Sequence, residues 1–226
     1  MRKRILVVAA HPDDEVLGCA GTLAKWTREG AVAELLILGQ GLAARGPQVP
    51  GSFEKLRTHC RNSAKLTGYR EVHFENLSDN QFDTVSLLSI TRLIEARLQK
   101  AKPHFIFTHH PHDLNIDHRR CAEAVLTACR PLPSQTFPER IYFFEVLSVT
   151  EWRSHSPELV FLPNVFVNIE KTLAVKKKAL QAYSGEVRPY PHPRSIQGIE
   201  ILAKRRGLEV GLRFAESFRL VRQIEF

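Results

Sequence analysis

From Ile5 to Cys129, short apolar runs alternate with longer stretches of helical period, and this alternation constrains the fold more than any other feature. The run Ile5–Ala10 (ILVVAA) is continuous and rich in β-branched residues, as expected of a strand covered on both faces. A helix is expected over Glu15–Glu29, stopped by Gly30, then a strand over Ala33–Gly39. After a Gly/Pro-rich loop running to Gly51, Ser52 is placed to cap a helix through Thr67, closed by Gly68. A short strand at Val72–Phe74, a helix at Val85–Gln99, a strand at His104–His110 and a helix at Asp117–Cys129 complete the alternation. The remainder is less regular: strands near Ile141–Leu147, Asn164–Ile169 and Ser217–Val221, helices near Leu173–Tyr183 and Ser195–Arg206. Strand–helix alternation predicts an α/β fold, a mainly parallel Rossmann-like sheet with helices on both faces. The length, 226 residues without a linker-like stretch, predicts a single domain over residues 1–226.

Composition excludes some function classes. No apolar run approaches the roughly 18 residues of a membrane span. The opening MRKRILVVAA has the charges of a signal peptide, but its apolar part is short and leads straight into AHPDDE, so it reads as a strand. Cys19, Cys60, Cys121 and Cys129 form no CxxC pair and fit buried free thiols of a cytoplasmic protein. The formal charge of +8 could steer an anionic partner, but it is dispersed and no nucleic-acid motif accompanies it, so no nucleic-acid partner is expected. The chain lacks GxGxxG, so a Rossmann-like layout does not imply NAD. Trp26, Trp152 and the thirteen phenylalanines read as core or subunit interface.

Two clusters carry chemistry. His11-Pro12-Asp13-Asp14-Glu15 follows the first strand, and His109-His110-Pro111-His112-Asp113-Leu114-Asn115-Ile116-Asp117-His118 follows a later one. In open α/β sheets ligands gather at the carboxyl ends of strands beside a switch point, where both clusters are predicted to lie. Taken alone, the first could be an acidic turn capping a helix, and most histidines of the second could be structural. Together they supply two histidines and a carboxylate, a recurrent catalytic zinc set with a fourth position open to water. His11, Asp14 and His118 serve as metal ligands in this reading, and Asp13 is left as a general base. Ferrous iron uses the same donor set, so Fe2+ is an alternative to Zn2+.

The chain resembles the PIG-L (LmbE-like) N-deacetylase family. AHPDDE with LGCAGTLAKW resembles the family's opening motif, and DLNIDHRR its second. RTHCRNSAKLTG, LSDNQFD, KKKALQAYSGE, HPRS and GLRFAESF resemble the rest, nearly end to end. The resemblance implies the same ligands and the same base, and a zinc-dependent release of acetyl from an amino sugar of the N-acetylglucosamine type. It implies a small-molecule sugar conjugate as partner, whose carrier could be anionic, and a homo-oligomer. Many relatives have a histidine where this chain has Asn115; an asparagine amide can hydrogen-bond an oxyanion but cannot act as an acid. Asp13 acting twice is then the favoured proton donor, with His112 and His192 as alternatives. Asp79 matches a sugar-contacting position, and Arg57 falls in the middle motif as a structural candidate.

Further residues suggest a substrate cleft. Tyr190–Ser195 is a proline-stiffened turn whose His192 and Arg194 could wall the cleft, Arg194 holding a phosphate or carboxylate; the plainer reading is a turn that fixes the chain path. Arg45 lies in the Gly-rich loop and could reach an anionic substrate. Glu15 could orient a ligand imidazole or favour the helix terminus. Competing functions are an amidase acting on a non-sugar or thiol-conjugate amide, and a non-catalytic protein of the same fold that binds anionic glycans.

Overall fold

The computed structural model describes residues 2–42, 50–132, 137–153 and 156–225. In chain order the elements are β1 (Arg4–Ala9), α1 (Asp14–Arg28), β2 (Val32–Gly39), α2 (Ser52–Thr67), β3 (Glu71–Leu77), α3 (Leu87–Ala101), β4 (Phe105–His109), α4 (Ile116–Ala128), β5 (Arg140–Phe144), β6 (Val165–Asn168), α5 (Leu173–Gln181), α6 (Ile196–Leu208) and β7 (Ala215–Gln223). The strands form one sheet in the order β3-β2-β1-β4-β5-β7-β6. The five strands from β3 to β5 are parallel, and β7 runs antiparallel to both β5 and β6. The α/β expectation is met.

Alternation along the central strands divides the core. Ile5, Val7 and Ala9 of β1 and Leu35 and Ile37 of β2 face one layer, packed with residues of α1, α2, α5 and α6. Leu6, Val8, Leu36 and Leu38 face the other, packed against Ile90, Ile94 and Leu98 of α3 and Cys121, Ala124 and Val125 of α4. Burial of each such Leu, Ile or Val contributes about 1.5–3 kcal/mol, which is why β1 is apolar from Ile5 and β2 from Leu35 onward, while the buried Glu34 of β2 is ion-paired to Arg70 and Arg97. All four cysteines are buried free thiols. Among the described residues no helix is long and apolar enough to cross a membrane.

Three boundaries differ from expectation. Gly51, at φ 85°, is the residue before α2, and Ser52 begins the helix without capping it; glycine takes that left-handed conformation at little cost. β3 is longer than Val72–Phe74 because it is an edge strand, where polar residues are tolerated and the apolar signal fades. β5 stops at Phe144, since Glu145 turns to an ion pair with Arg206 and a turn begins at Val146. Trp152 is 55% exposed and meets His192 edge-on, so it is not core.

Chain order reverses beside β1: β2 lies on one side and β4 on the other. The crevice beyond the carboxyl ends of β1 and β4 is thus the switch point of the sheet. Two glycines shape it. A Cβ on Gly18 would meet the Phe144 ring at 2.4 Å, so glycine lets that ring reach His109, with centroids 4.8 Å apart. A Cβ on Gly39 would come within 2.8 Å of the Phe82 ring, the residue whose backbone N–H holds Asp117.

Candidate active site

At the end of β1 the chain enters α1 through a strained corner. Asp13 has φ 102°, a left-handed conformation costly for a non-glycine residue, about 1–3 kcal/mol. Its side chain makes no capping bond to α1. The following carboxylates reach back instead: Asp14 Oδ2 accepts from the His11 N–H at 2.9 Å, and Glu15 Oε2 accepts from the Asp13 N–H at 3.0 Å. Glu15 also accepts the Tyr183 hydroxyl. Burial pushes Glu15 up to about 8, with the Asp13 charge adding to it and the Tyr183 bond opposing. Glu15 therefore shapes the corner through these two donors.

The second cluster begins at the end of β4. Asn115 caps α4, its side-chain oxygen accepting from the Asp117 N–H at 2.8 Å. The helix then presents Asp117 and His118 on its first turn, both buried. His118 Nδ1 lies 2.9 Å from Asp113 Oδ2, and Asp113 Oδ1 accepts the Thr150 hydroxyl at 2.6 Å. Asp117 holds His11 in the same manner. Its Oδ2 lies 2.8 Å from His11 Nε2 and accepts the Asn80 N–H, while its Oδ1 accepts the Phe82 N–H at 2.9 Å. Asp79 Oδ1 stands 3.2 Å from the same His11 nitrogen.

With their far nitrogens tied to carboxylates, both imidazoles turn the near ones toward Asp14. His11 Nδ1 is 3.7 Å and His118 Nε2 3.3 Å from Asp14 Oδ2. One donor atom from each of these three residues lies within 4.8 Å of the others, so the expected ligands come together. Two imidazoles, one carboxylate and a carboxylate behind each imidazole match the ligation of a divalent transition metal. Burial pushes Asp14 upward, yet the charge and hydrogen bond of His118, with His11 beside it, outweigh burial and leave its carboxyl well below the usual range. For His118, burial is likewise outweighed, by Asp14 and Asp113, and its pKa rises to about 10. A metal would compete for that nitrogen with a proton.

The two other clusters near His11 and His118 are poorer candidates. Asp117 and Asp79 face the His11 nitrogen that they orient, and Asp117 already accepts from two backbone N–H groups. His109 stacks on His118 with centroids 3.9 Å apart, but its Nε2 accepts the Ala10 N–H at 2.8 Å, so that lone pair is engaged. Burial and the neighbouring His118 hold His109 neutral. Its ring is a wall that fixes the plane of His118.

The remaining expected residues fall in several places. Arg194 does not stand clear as an anion receptor: its Nη1 donates to Asp13 Oδ2 at 3.1 Å, and its Nε to Ser148 Oγ at 2.8 Å. His192 Nδ1 accepts the Arg194 N–H within the turn. Arg57 ties α2 to β3, donating to Glu54 and Asn76 and lying over the Phe53 and Phe74 rings. Arg45 lies outside the described residues. Asp113, Asp117, Thr150 and Tyr183 had no assigned role in the sequence; the two aspartates were visible inside the motif, whereas nothing local marked Thr150 or Tyr183.

The family model for GlcNAc-PI de-N-acetylase (PIG-L) matches residues 6–129, more than half of the chain, from within β1 to just beyond α4. The chain belongs to the PIG-L family. Among PIG-L relatives, an uncharacterized deacetylase, YaiS, of Escherichia coli is 26% identical over 190 residues, spanning 80% of this chain and 91% of its own. A probable N-acetyl-alpha-D-glucosaminyl L-malate deacetylase of Bacillus cereus is 24% identical, spanning 82% and 84%. In structure, the N,N'-diacetylchitobiose deacetylase of Pyrococcus horikoshii superposes with a TM-score of 0.78 at 21% identity, covering 97% of this chain and 84% of that one. Such a likeness establishes the fold, while chemistry has to be argued from the site.

Proposed function

We propose that this protein is a cytoplasmic, zinc-dependent hydrolase that removes acetyl from the nitrogen of an N-acetylglucosamine-type conjugate. The observation that carries the reading is the convergence of His11, Asp14 and His118, each imidazole backed by its own aspartate, beside the acidic corner at Asp13. The names of the Bacillus and Pyrococcus relatives support an amino-sugar substrate. His11, Asp14 and His118 would hold the zinc ion, which would supply Lewis acidity toward the amide carbonyl and toward water.

The protein's own groups do the rest. Asp13 accepts a proton from water as the water oxygen bonds to the amide carbon. The same carboxyl then returns that proton to the departing nitrogen as the C–N bond breaks, giving acetate and the amine. The Asn115 oxygen is spent on the helix cap, so its Nδ2 is the atom that can donate to the carbonyl oxygen as negative charge develops there. Asp79, held beside His11, contributes through that imidazole.

The test is acetate release by the zinc-loaded protein from N-acetylglucosamine, its malate, nucleotide and inositol-type conjugates, and non-sugar acetamides. Asp13→Asn should keep its metal and lose about 10²–10⁴ in rate, the range of general acid–base catalysis. Undiminished release by that variant would remove Asp13 from the mechanism, and release only from non-sugar amides would move the protein to the amidase reading.

A further inference from the structure

Asp13 occupies the position where an aspartate ordinarily caps a helix, yet it does not cap α1. The bonds that shape the corner come from Asp14 and Glu15, so the Asp13 side chain is directed elsewhere. It meets Arg194, 181 residues away, whose Nη1 lies 3.1 Å from Asp13 Oδ2.

The guanidinium is itself held. Its Nε donates to Ser148 Oγ at 2.8 Å and points toward the Leu147 carbonyl. Ser148 sits at φ 69°, a conformation costly for serine, and its N–H is fixed by the Glu151 carboxylate. Behind the side chain, the Arg194 N–H donates to His192 Nδ1, and buried Ser195 caps α6 by accepting from the Gly198 N–H. Two loops far apart in sequence thus converge to fix one arginine. The arginine side chain is 19% exposed and the Asp13 side chain 3%, so this is a largely desolvated ion pair with a defined geometry.

We propose that Arg194 is a positioning residue for the hydrolysis, holding the Asp13 carboxylate in the orientation from which it takes and returns a proton. This rests on the reading of Asp13 as the base. It differs from a role in binding the substrate in that Nη1 is engaged by the Asp13 carboxylate and Nε by Ser148. A lysine could not reproduce the arrangement: one ammonium cannot serve Ser148 and Asp13 from the two ends of a planar fork.

The experiment is a double-mutant cycle with Arg194→Gln, Arg194→Lys, Asp13→Asn and Asp13→Asn/Arg194→Gln, each assayed for bound zinc, kcat, KM and thermal midpoint. Expected for Arg194→Gln is a kcat lower by about 10²-fold, the cost of a misplaced reacting group, with zinc content unchanged. KM should stay within about threefold, as for a group that acts on the chemical step. Arg194→Lys should recover part of the loss, and Arg194→Gln should cost little more in the Asp13→Asn background. A raised KM with unchanged kcat, or an equal loss whether or not Asp13 has been replaced, would overturn the proposal and return Arg194 to substrate binding. If the wild type released no acetate from any amide, the proposed function would fail; the thermal midpoints still test the pair, which predicts a double variant less destabilised than the sum of the two singles. Additive midpoints would then refute the pairing itself.

Discussion

Asp113 offers the sharpest test of how the site is built. It is fully buried, binds no ligand atom of the proposed set other than through His118, and meets that imidazole at Nδ1. Asp113→Ala removes the acceptor that fixes which imidazole nitrogen faces Asp14. Losing such a carboxylate behind a ligating histidine typically lowers metal affinity 10–100-fold, or about 1.4–2.8 kcal/mol. It also strands one buried donor, His118 Nδ1, and one half-buried donor, the Thr150 hydroxyl. The buried donor alone should cost the metal-free protein about 1–3 kcal/mol of stability. The assay is competition for zinc with a chromogenic chelator, alongside urea unfolding of the metal-free protein, with His118→Ala as reference. Thr150→Val should fall between wild type and Asp113→Ala, since it leaves the imidazole–carboxylate contact in place. If Asp113→Ala bound zinc as tightly as wild type while His118→Ala lost it, the reasoning that Asp113 orients the ligand would be refuted.

Two further outcomes follow from particular contacts. Asn115→Ala should cost about 1 kcal/mol in unfolding free energy through loss of the α4 cap; a fall in kcat of more than about tenfold, with zinc retained, would show that Nδ2 also acts on the reacting carbonyl. Burial pushes the thiols of Cys121 and Cys129 up to about 12, and those of Cys19 and Cys60 upward as well. Their folded pKa values exceed the unfolded value of about 8.5, so below that pH their contribution to stability is complete, and it is lost progressively as pH rises toward 12. A thiol reagent at pH 8 should therefore find no reactive cysteine until denaturant is added, and urea midpoints should fall less steeply above pH 9 in Cys129→Ala than in wild type.

Much of the molecule was legible from local pattern. β1 and β2 announce themselves because they are buried on both faces, and every described strand and α-helix from β1 to β7 overlaps a run visible in the sequence, while the short 3-10 turn Phe82–Thr84 does not. β3 was cut short because an edge strand has no need of continuous apolar residues. The start of α2 was misplaced because a serine and a left-handed glycine are both plausible at a helix entrance. His11, Asp14 and His118 could be named because their two motifs sit at predicted strand ends.

The sequence by itself determined the α/β class, the crevice where chemistry must sit and the residues that are candidates to hold a metal, since each depends on residue type at short spacing. Only the tertiary structure decided which group each carboxylate faces. Whether an aspartate ligates, orients an imidazole or meets an arginine depends on which atom it faces, and those atoms arrive from remote segments. Asp117 reaches back 106 residues to His11, Thr150 stands 37 residues beyond Asp113, and Arg194 closes on Asp13 across almost the whole chain. No local pattern encodes such distances, because they are fixed by the strand order and the packing of the layers around the sheet.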